Sequence, residues 1–290
     1  MGINLKDVAK LRLGVCSDLG LEIKNEQFFY DKIETYGYRE IINQYGPHFL
    51  KKEMDQTECF KANTTFEALY AFYQLDQHLK NEALIDLQLF EQSFKAALVD
   101  TVEIEQATLQ MKAVKSRKSA HSKLDDFLKE KYCLKSGRGI RRGDLQSRIR
   151  RIKNNYHEPF AGYTELHHEI TPWVLIKEMS FGVACNYFFL LHHQVQKNVL
   201  KILFKNEVSI TDFEKVVGDI RAFRDLAAHN YRLIGIKHEG VFYYRLIYQQ
   251  LLLMNNQEPV TRMKTNFEQI SKRYLNDYPE EKQYLKEVLL

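Results

Sequence analysis

The sequence predicts a mainly α-helical protein. Three observations lead there. Five prolines and 13 glycines are few for 290 residues and argue against a turn-rich β architecture. Apolar residues recur three or four apart from Phe66 to Leu98. A second such stripe follows Pro172. With 44% hydrophobic residues the chain can bury a sizeable core.

Taken in order, residues 4–13 and 26–44 read as helices. In the second, Phe29, Ile33, Tyr36 and Ile41 recur near helical spacing, Gly37 interrupts, and Gly46-Pro47 ends the run. Residues 48–63 read as an irregular connection. Thr65 is placed to cap the next helix, whose stripe runs through Phe66, Leu69, Tyr70, Tyr73, Leu79, Leu84, Leu87, Phe90, Phe94 and Leu98. This is either one very long helix or two, broken near Asn81. Loops are expected at 116–119 and 136–139, a short helix at 125–132 and a basic helix at 144–154. Pro172, after Thr171, suits the first turn of a long helix carrying Trp173, Ile176, Met179, Val183, Tyr187 and Leu190. A further helix is expected from Ser209 or Thr211 to Ala228, with Thr211 as a candidate cap. Residues 240–248 read as strand or helix, and the chain from Glu258 as a charged helix.

Mean hydropathy is −0.43 and no apolar run is long enough to span a membrane. The first ten residues are polar and lack a signal-peptide segment, so a soluble, cytoplasmic protein is expected. Cys16, Cys59, Cys133 and Cys185 are far apart with no zinc-finger spacing, which favours free thiols. The pairs and groups His157, His167, His168 and His192, His193 fit no standard zinc site, and no metal or other cofactor is expected.

Formal net charge is only +4, but it is unevenly spread. Residues 112–153 hold 15 Lys/Arg against 4 Asp/Glu, a local charge of +11 in an otherwise mildly acidic chain. Such a segment attracts polyanions, chiefly nucleic acid. Its candidate RNA contacts are Arg138, Arg141, Arg142, Arg148, Arg150, Arg151 and Lys153, with Tyr132 and Tyr156 nearby for base stacking. The plainer reading is a solvated basic loop.

The stretch from Arg221 to Arg232 carries the chemistry. Phe213, Val216, Val217, Ile220, Phe223 and Ala227 share one apolar arc, and Arg224 projects about 20° from Phe213 on a regular helix. A guanidinium there needs a partner or a polar cavity. Alternatively it snorkels to the surface. His229, read alone, is a helix-end residue.

The Arg224-x4-His229 element, with polar Asp225 after the arginine, resembles the motif of HEPN ribonucleases. Around it, Gly20-Leu21-Glu22-Ile23 and Tyr36-Gly37-Tyr38-Arg39 resemble the N-terminal run of the AbiD/AbiF-type abortive-infection family. Thr65-Phe66-Glu67 with Leu69-Tyr70 and Leu75-Asp76-Gln77-His78-Leu79 is similar to a further element of it, although Gln77 and His78 depart from the usual charged pair. Glu91 to Leu98 resembles another of its helices. Trp173 to Gly182, with Glu178, Ser180 and Gly182, resembles its Trp-to-Met-Ser-Phe-Gly signature. The resemblance covers most of residues 10–235, in the family's order. No motif matches the basic segment.

This resemblance implies a HEPN-like helical bundle with an N-terminal helical extension (1–60), a HEPN-like domain (61–290) and a basic insertion at about 112–153. It implies a phage-defence toxin that cleaves RNA without a metal. The residues suit that chemistry. RNA carries its own nucleophile, the 2′-OH. Histidine takes and returns protons near neutrality. Arginine holds a phosphate and stabilises the charge of five-coordinate phosphorus. The products would be a 2′,3′-cyclic phosphate and a 5′-OH. Asp225 and Asn230 complete the candidate catalytic set, Asn230 either orienting phosphate or capping the helix. Positions five apart leave a regular helix about 140° apart. So either the helix ends or distorts near Ala228, or a second subunit completes the site, and a homodimer is expected. Tyr231 stands where some HEPN toxins are AMPylated, or is a packed aromatic. Glu178 is a candidate partner of a core arginine, Gly182 a close-packing position and Trp173 a core anchor. The expected partner is RNA, as substrate and also as a candidate non-coding antitoxin; DNA and membrane are not expected. The alternative function is a catalytically silent module holding a structured non-coding RNA.

Overall fold

The computed structural model describes residues 5–51, 59–115, 127–154, 161–162 and 171–289. These form a mainly α-helical protein with two short antiparallel hairpins. The chain divides into two compact units, each assembled from separated stretches. The first takes Met1–Leu84, Arg224–Leu246 and Met263–Leu290; the second takes Ile85–Phe223 and Ile247–Arg262.

In the first unit, helix α1 (Leu5–Asp18) leads to α2 (Glu26–Tyr36). The Asn25 side chain accepts from the Phe28 amide at 3.0 Å and starts α2. Gly37, at φ 95°, stops it, and the chain continues as a π-turn over Arg39–Asn43 that buries Ile41 and Ile42. A 3-10 turn over Gly46–His48 follows, and Leu50 bridges Phe60. The predicted cap forms: Thr65 Oγ1 accepts from the Ala68 amide at 3.1 Å and opens α3 (Phe66–Lys115). Of the two sequence alternatives, the 50-residue single helix is the one formed, with no break at Asn81. Phe66, Leu69, Phe72, Leu79 and Ala83 on its first part are buried. His48 stacks on Phe72 at 4.3 Å and meets Glu281 at 3.0 Å.

In the second unit, β1 (Lys131–Cys133) pairs with β2 (Gly139–Arg141), and α4 (Arg142–Lys153) follows directly. The helix expected at 125–132 is not seen in its described part. Phe127 sits in a 3-10 turn, Leu128 bridges Leu191, and Lys131-Tyr132 is strand. Pairing with β2 satisfies that backbone and overrides local helix propensity. The expected long helix from Pro172 is two helices, α5 (Pro172–Glu178) and α6 (Phe181–Leu190). Met179 is extended (φ −64°, ψ 131°), and Ser180 restarts the chain at an N-cap position. Helix α7 (His193–Leu203) precedes α8 (Ile210–Ala228). Ser209, rather than Thr211, caps α8: its hydroxyl accepts from the Asp212 amide at 3.0 Å and donates to the Asp212 carboxylate at 2.6 Å. Phe94, Phe188, Phe204 and Phe213 cluster with ring centroids 4.6–5.9 Å apart.

After α8, hairpin β3 (Lys237–His238) and β4 (Val241–Phe242) leads into α9 (Tyr243–Leu252), so the ambiguous 240–248 stretch is strand, then helix. Helices α10 (Glu258–Asp277) and α11 (Lys282–Val288) end the described chain. No helix among the described residues is long and apolar enough to cross a membrane. All four cysteines are free; Cys16 and Cys185 are buried and Cys133 is exposed.

Candidate functional site

Helix α8 ends in a way its sequence dictates. The Asn230 amide donates to Ala227 O at 3.1 Å and the Tyr231 amide to Leu226 O at 2.9 Å, with Asn230 left-handed at φ 59°. This is a Schellman closure, and asparagine is among the few non-glycine residues that tolerate the conformation. Asn230 thus caps the helix through its backbone. The His229 amide still donates to Asp225 O at 3.1 Å, so the spiral stays regular up to the histidine. Arg224 and His229 therefore leave the helix about 140° apart. The helix ends where expected, but too late to bring the two side chains onto one face.

Asp225 and His229, one turn apart, share a face and are both exposed. Arg224 is half-buried, and Phe213, Val216, Val217, Ile220 and Phe223 form the buried arc of the same helix. Tyr231 is 55% exposed, so its ring is not packed into the core of this chain.

Beneath this helix end lies a polar network that the sequence reading missed. Asp76 of α3 is fully buried and its carboxylate accepts four hydrogen bonds. They come from the Leu233 amide (3.0 Å), the Ile234 amide (3.0 Å), Tyr45 Oη (2.7 Å) and Tyr244 Oη (2.6 Å). One turn on, Lys80 is 2% exposed. Its Nζ donates to Asn230 Oδ1 at 3.0 Å and Tyr231 O at 3.2 Å, and stands 3.9 Å from Asp76 Oδ2. Burial lowers the Lys80 pKa, opposed by the Asp76 and Glu40 carboxylates. Burial, with the Asp76 charge, pushes the Tyr45 and Tyr244 phenols up. Gln44 completes the cage: its Oε1 accepts from the Arg232 amide at 2.7 Å and its Nε2 donates to Glu40 Oε2 at 2.6 Å. The signal for this network was present, since Asp76 and Lys80 interrupt the apolar face of Phe72, Leu79 and Ala83.

The family-signature residues lie in the second unit. Trp173 is 38% exposed with Lys177 Nζ 5.2 Å from its ring, so it is not the core anchor expected. The short α5 turns Val174, Leu175 and Ile176 inward instead. Glu178 is half-buried and Ser180 exposed. A Cβ on Gly182 would meet the Arg221 guanidinium at 3.9 Å, an ordinary contact, so close helix packing is not what requires glycine there.

The basic segment is structured in part. Leu145 and Ile149 anchor α4, while Arg148, Arg150, Arg151 and Lys153 are exposed, as are Arg138 and Arg141 on the hairpin. Arg142 is tied to Glu130 at 3.1 Å. Tyr132 stacks on Phe189 at 5.1 Å with its hydroxyl 3.5 Å from Glu214, so one ring face is already committed. Residues 116–119, Tyr156, His157, His167 and His168 lie outside the described residues. His192 and His193 are exposed, and no group of three potential metal ligands occurs among the described residues.

The fold and this site define a helical protein whose polar machinery hangs on the C-terminal end of one long helix, backed by buried charges. A family model described as Abi-like protein matches residues 31–235, most of the chain, and spans α8 and its closure. The chain belongs to this Abi-like family, and with it to abortive-infection phage defence. No curated protein matches, and no solved structure does.

Proposed function

We propose that this Abi-like protein is an abortive-infection toxin of AbiD/AbiF type and a metal-independent HEPN endoribonuclease. The observation that carries the reading is the end of α8, where Arg224, Asp225 and His229 stand at a helix closure locked by Asn230. His229 takes the proton of the RNA 2′-OH as that oxygen attacks phosphorus. The P–O5′ bond breaks, a proton returns to the leaving oxygen, and the products are a 2′,3′-cyclic phosphate and a 5′-OH. Arg224 holds the phosphate through the five-coordinate stage. Asp225, on the His229 face, orients the imidazole or its substrate. Because the helix stays regular to His229, the reading includes a second copy that completes the site in a homodimer. An antitoxin, RNA or protein, holds the toxin silent until infection, and exposed Tyr231 is accessible to a modifying enzyme.

A second reading is favoured by the exposed cations of α4 and its hairpin: a catalytically silent module that grips structured RNA. One experiment separates the two. Wild type, Arg224→Ala and His229→Ala are induced in cells, and growth and RNA 5′-OH ends are followed. Growth arrest with new 5′-OH ends from wild type only is the expected result. Identical behaviour of all three, with RNA still bound to the purified protein, leaves the silent module as the function.

A further inference from the structure

The chain that follows His229 has no regular secondary structure until β3, yet five of its polar backbone groups from 230 to 234 are held from α3 or from Gln44, just after the π-turn. Gln44 Nε2 lies 3.5 Å from Asn230 O, Lys80 Nζ binds Tyr231 O, Gln44 Oε1 takes the Arg232 amide, and Asp76 takes the Leu233 and Ile234 amides. Irregular buried backbone must find such partners. What is unusual is that two of the groups doing so are charged, one turn apart, and almost wholly out of water. A backbone clamp alone would be met by neutral side chains at less desolvation cost.

We propose that Lys80 and Asp76 are positioning residues for His229. Lys80 grips the side chain of Asn230 and the carbonyl of Tyr231 together, and so fixes the left-handed turn from which the imidazole departs. Asp76 fixes Leu233 and Ile234, so the turn cannot relax forward. The chain on the other side of His229 is fixed by α8 itself. The histidine is thus held from both flanks while its ring stays exposed, as a proton-transferring group facing a large substrate requires. Glu40 extends the grip, since it accepts from Asn230 Nδ2 at 3.4 Å and from Gln44. This assignment rests on the ribonuclease reading for its catalytic consequence, though not for its structural one.

The test uses the full chain carrying Lys80→Met, with Lys95→Met as control, since Lys95 is a partly buried cation of the same helix that pairs with Glu91 and the Lys177 carbonyl rather than with the chain after His229. Thermal melts establish folding, oligoribonucleotide cleavage gives kcat and KM, and histidine-labelled protein gives the His229 imidazole resonance, assigned by His229→Ala. Lys80→Met is expected to lower kcat at least about tenfold with KM little changed, and to shift the His229 resonance. Lys95→Met leaves both as in wild type. Should Lys80→Met fail to fold, Asn230→Gly takes its place; glycine keeps the left-handed turn but removes the side chain that Lys80 grips. A folded Lys80→Met or Asn230→Gly protein with wild-type kcat and an unmoved His229 signal overturns the assignment. If wild type and His229→Ala cleave RNA equally, the ribonuclease reading falls instead, and the imidazole signal still decides whether Lys80 positions His229.

Discussion

The Asp76 carboxylate accepts four hydrogen bonds out of contact with water. Two phenols and two backbone amides end on it, and all four donors are buried with it. Asp76→Ala strands all four and is expected to destabilise the protein by about 3–5 kcal/mol. Asp76→Asn keeps one acceptor oxygen and is expected to lose less; denaturant titration of the two variants checks the order. Gly235 is a second sensitive residue for a different reason. Its φ is +75°, and a Cβ there would collide with the Tyr284 hydroxyl and press on Arg232. Gly235→Ala therefore combines backbone strain with a clash, and is expected to lower the melting temperature by several degrees, corresponding to about 1–3 kcal/mol.

Single elements carry separable expectations. The Ser209 hydroxyl serves an orphan amide of α8, so Ser209→Ala is expected to cost about 1 kcal/mol while leaving the distant helix end intact. Denaturant unfolding reads the first part, and the His229 imidazole resonance the second. Helix α4 presents its cations outward because Leu145 and Ile149 take its inner face. If that surface grips RNA, replacing Arg148, Arg150 and Arg151 with alanine weakens binding. The slope of log affinity against log salt then falls by about 0.9 for each phosphate no longer neutralised on a duplex, and by less on single strands. RNA titrations at several salt concentrations measure it. An unchanged slope would remove α4 from the RNA interface. The helices also show where local patterning ran out. The Thr65 cap, the Gly37 break and the basic helix were legible because each is a local signal. The Met179-Ser180 break and strand β1 were not, because a restart inside an apolar stripe and a pairing with β2 are decided by neighbours remote from the window being read.

At the scale of the whole molecule, the protein should be sensitive to alkali. Tyr45, Tyr244 and Tyr274 are raised chiefly by burial, and Tyr38 is raised to about 12. Because these folded values lie above the unfolded value of 10.0, the phenols contribute stability that is fully present below pH 10 and is lost as pH climbs through the folded values. Lys80 works in the opposite sense. Its folded pKa lies below 10.5, so the unfolded chain binds more protons between the two values, and stability from this group rises with pH across that window. The tyrosines outnumber it, so net stability is expected to fall above pH 10, with phenolate absorbance appearing together with loss of helical circular dichroism. Ionisation of all 17 phenols while the helical circular dichroism persists would contradict the burial of these rings.

The sequence by itself determined the helical class, the position of the basic segment, and the Arg224–His229 element at the end of a helix, because periodicity, charge counts and short motifs are written in consecutive residues. Only the tertiary structure decided which residues stand behind that element. Asp76 and Lys80 lie about 150 residues from the turn they hold. Nothing local distinguishes a charge on an apolar stripe that snorkels outward from one that meets buried partners, since the difference lies in what the fold brings opposite it.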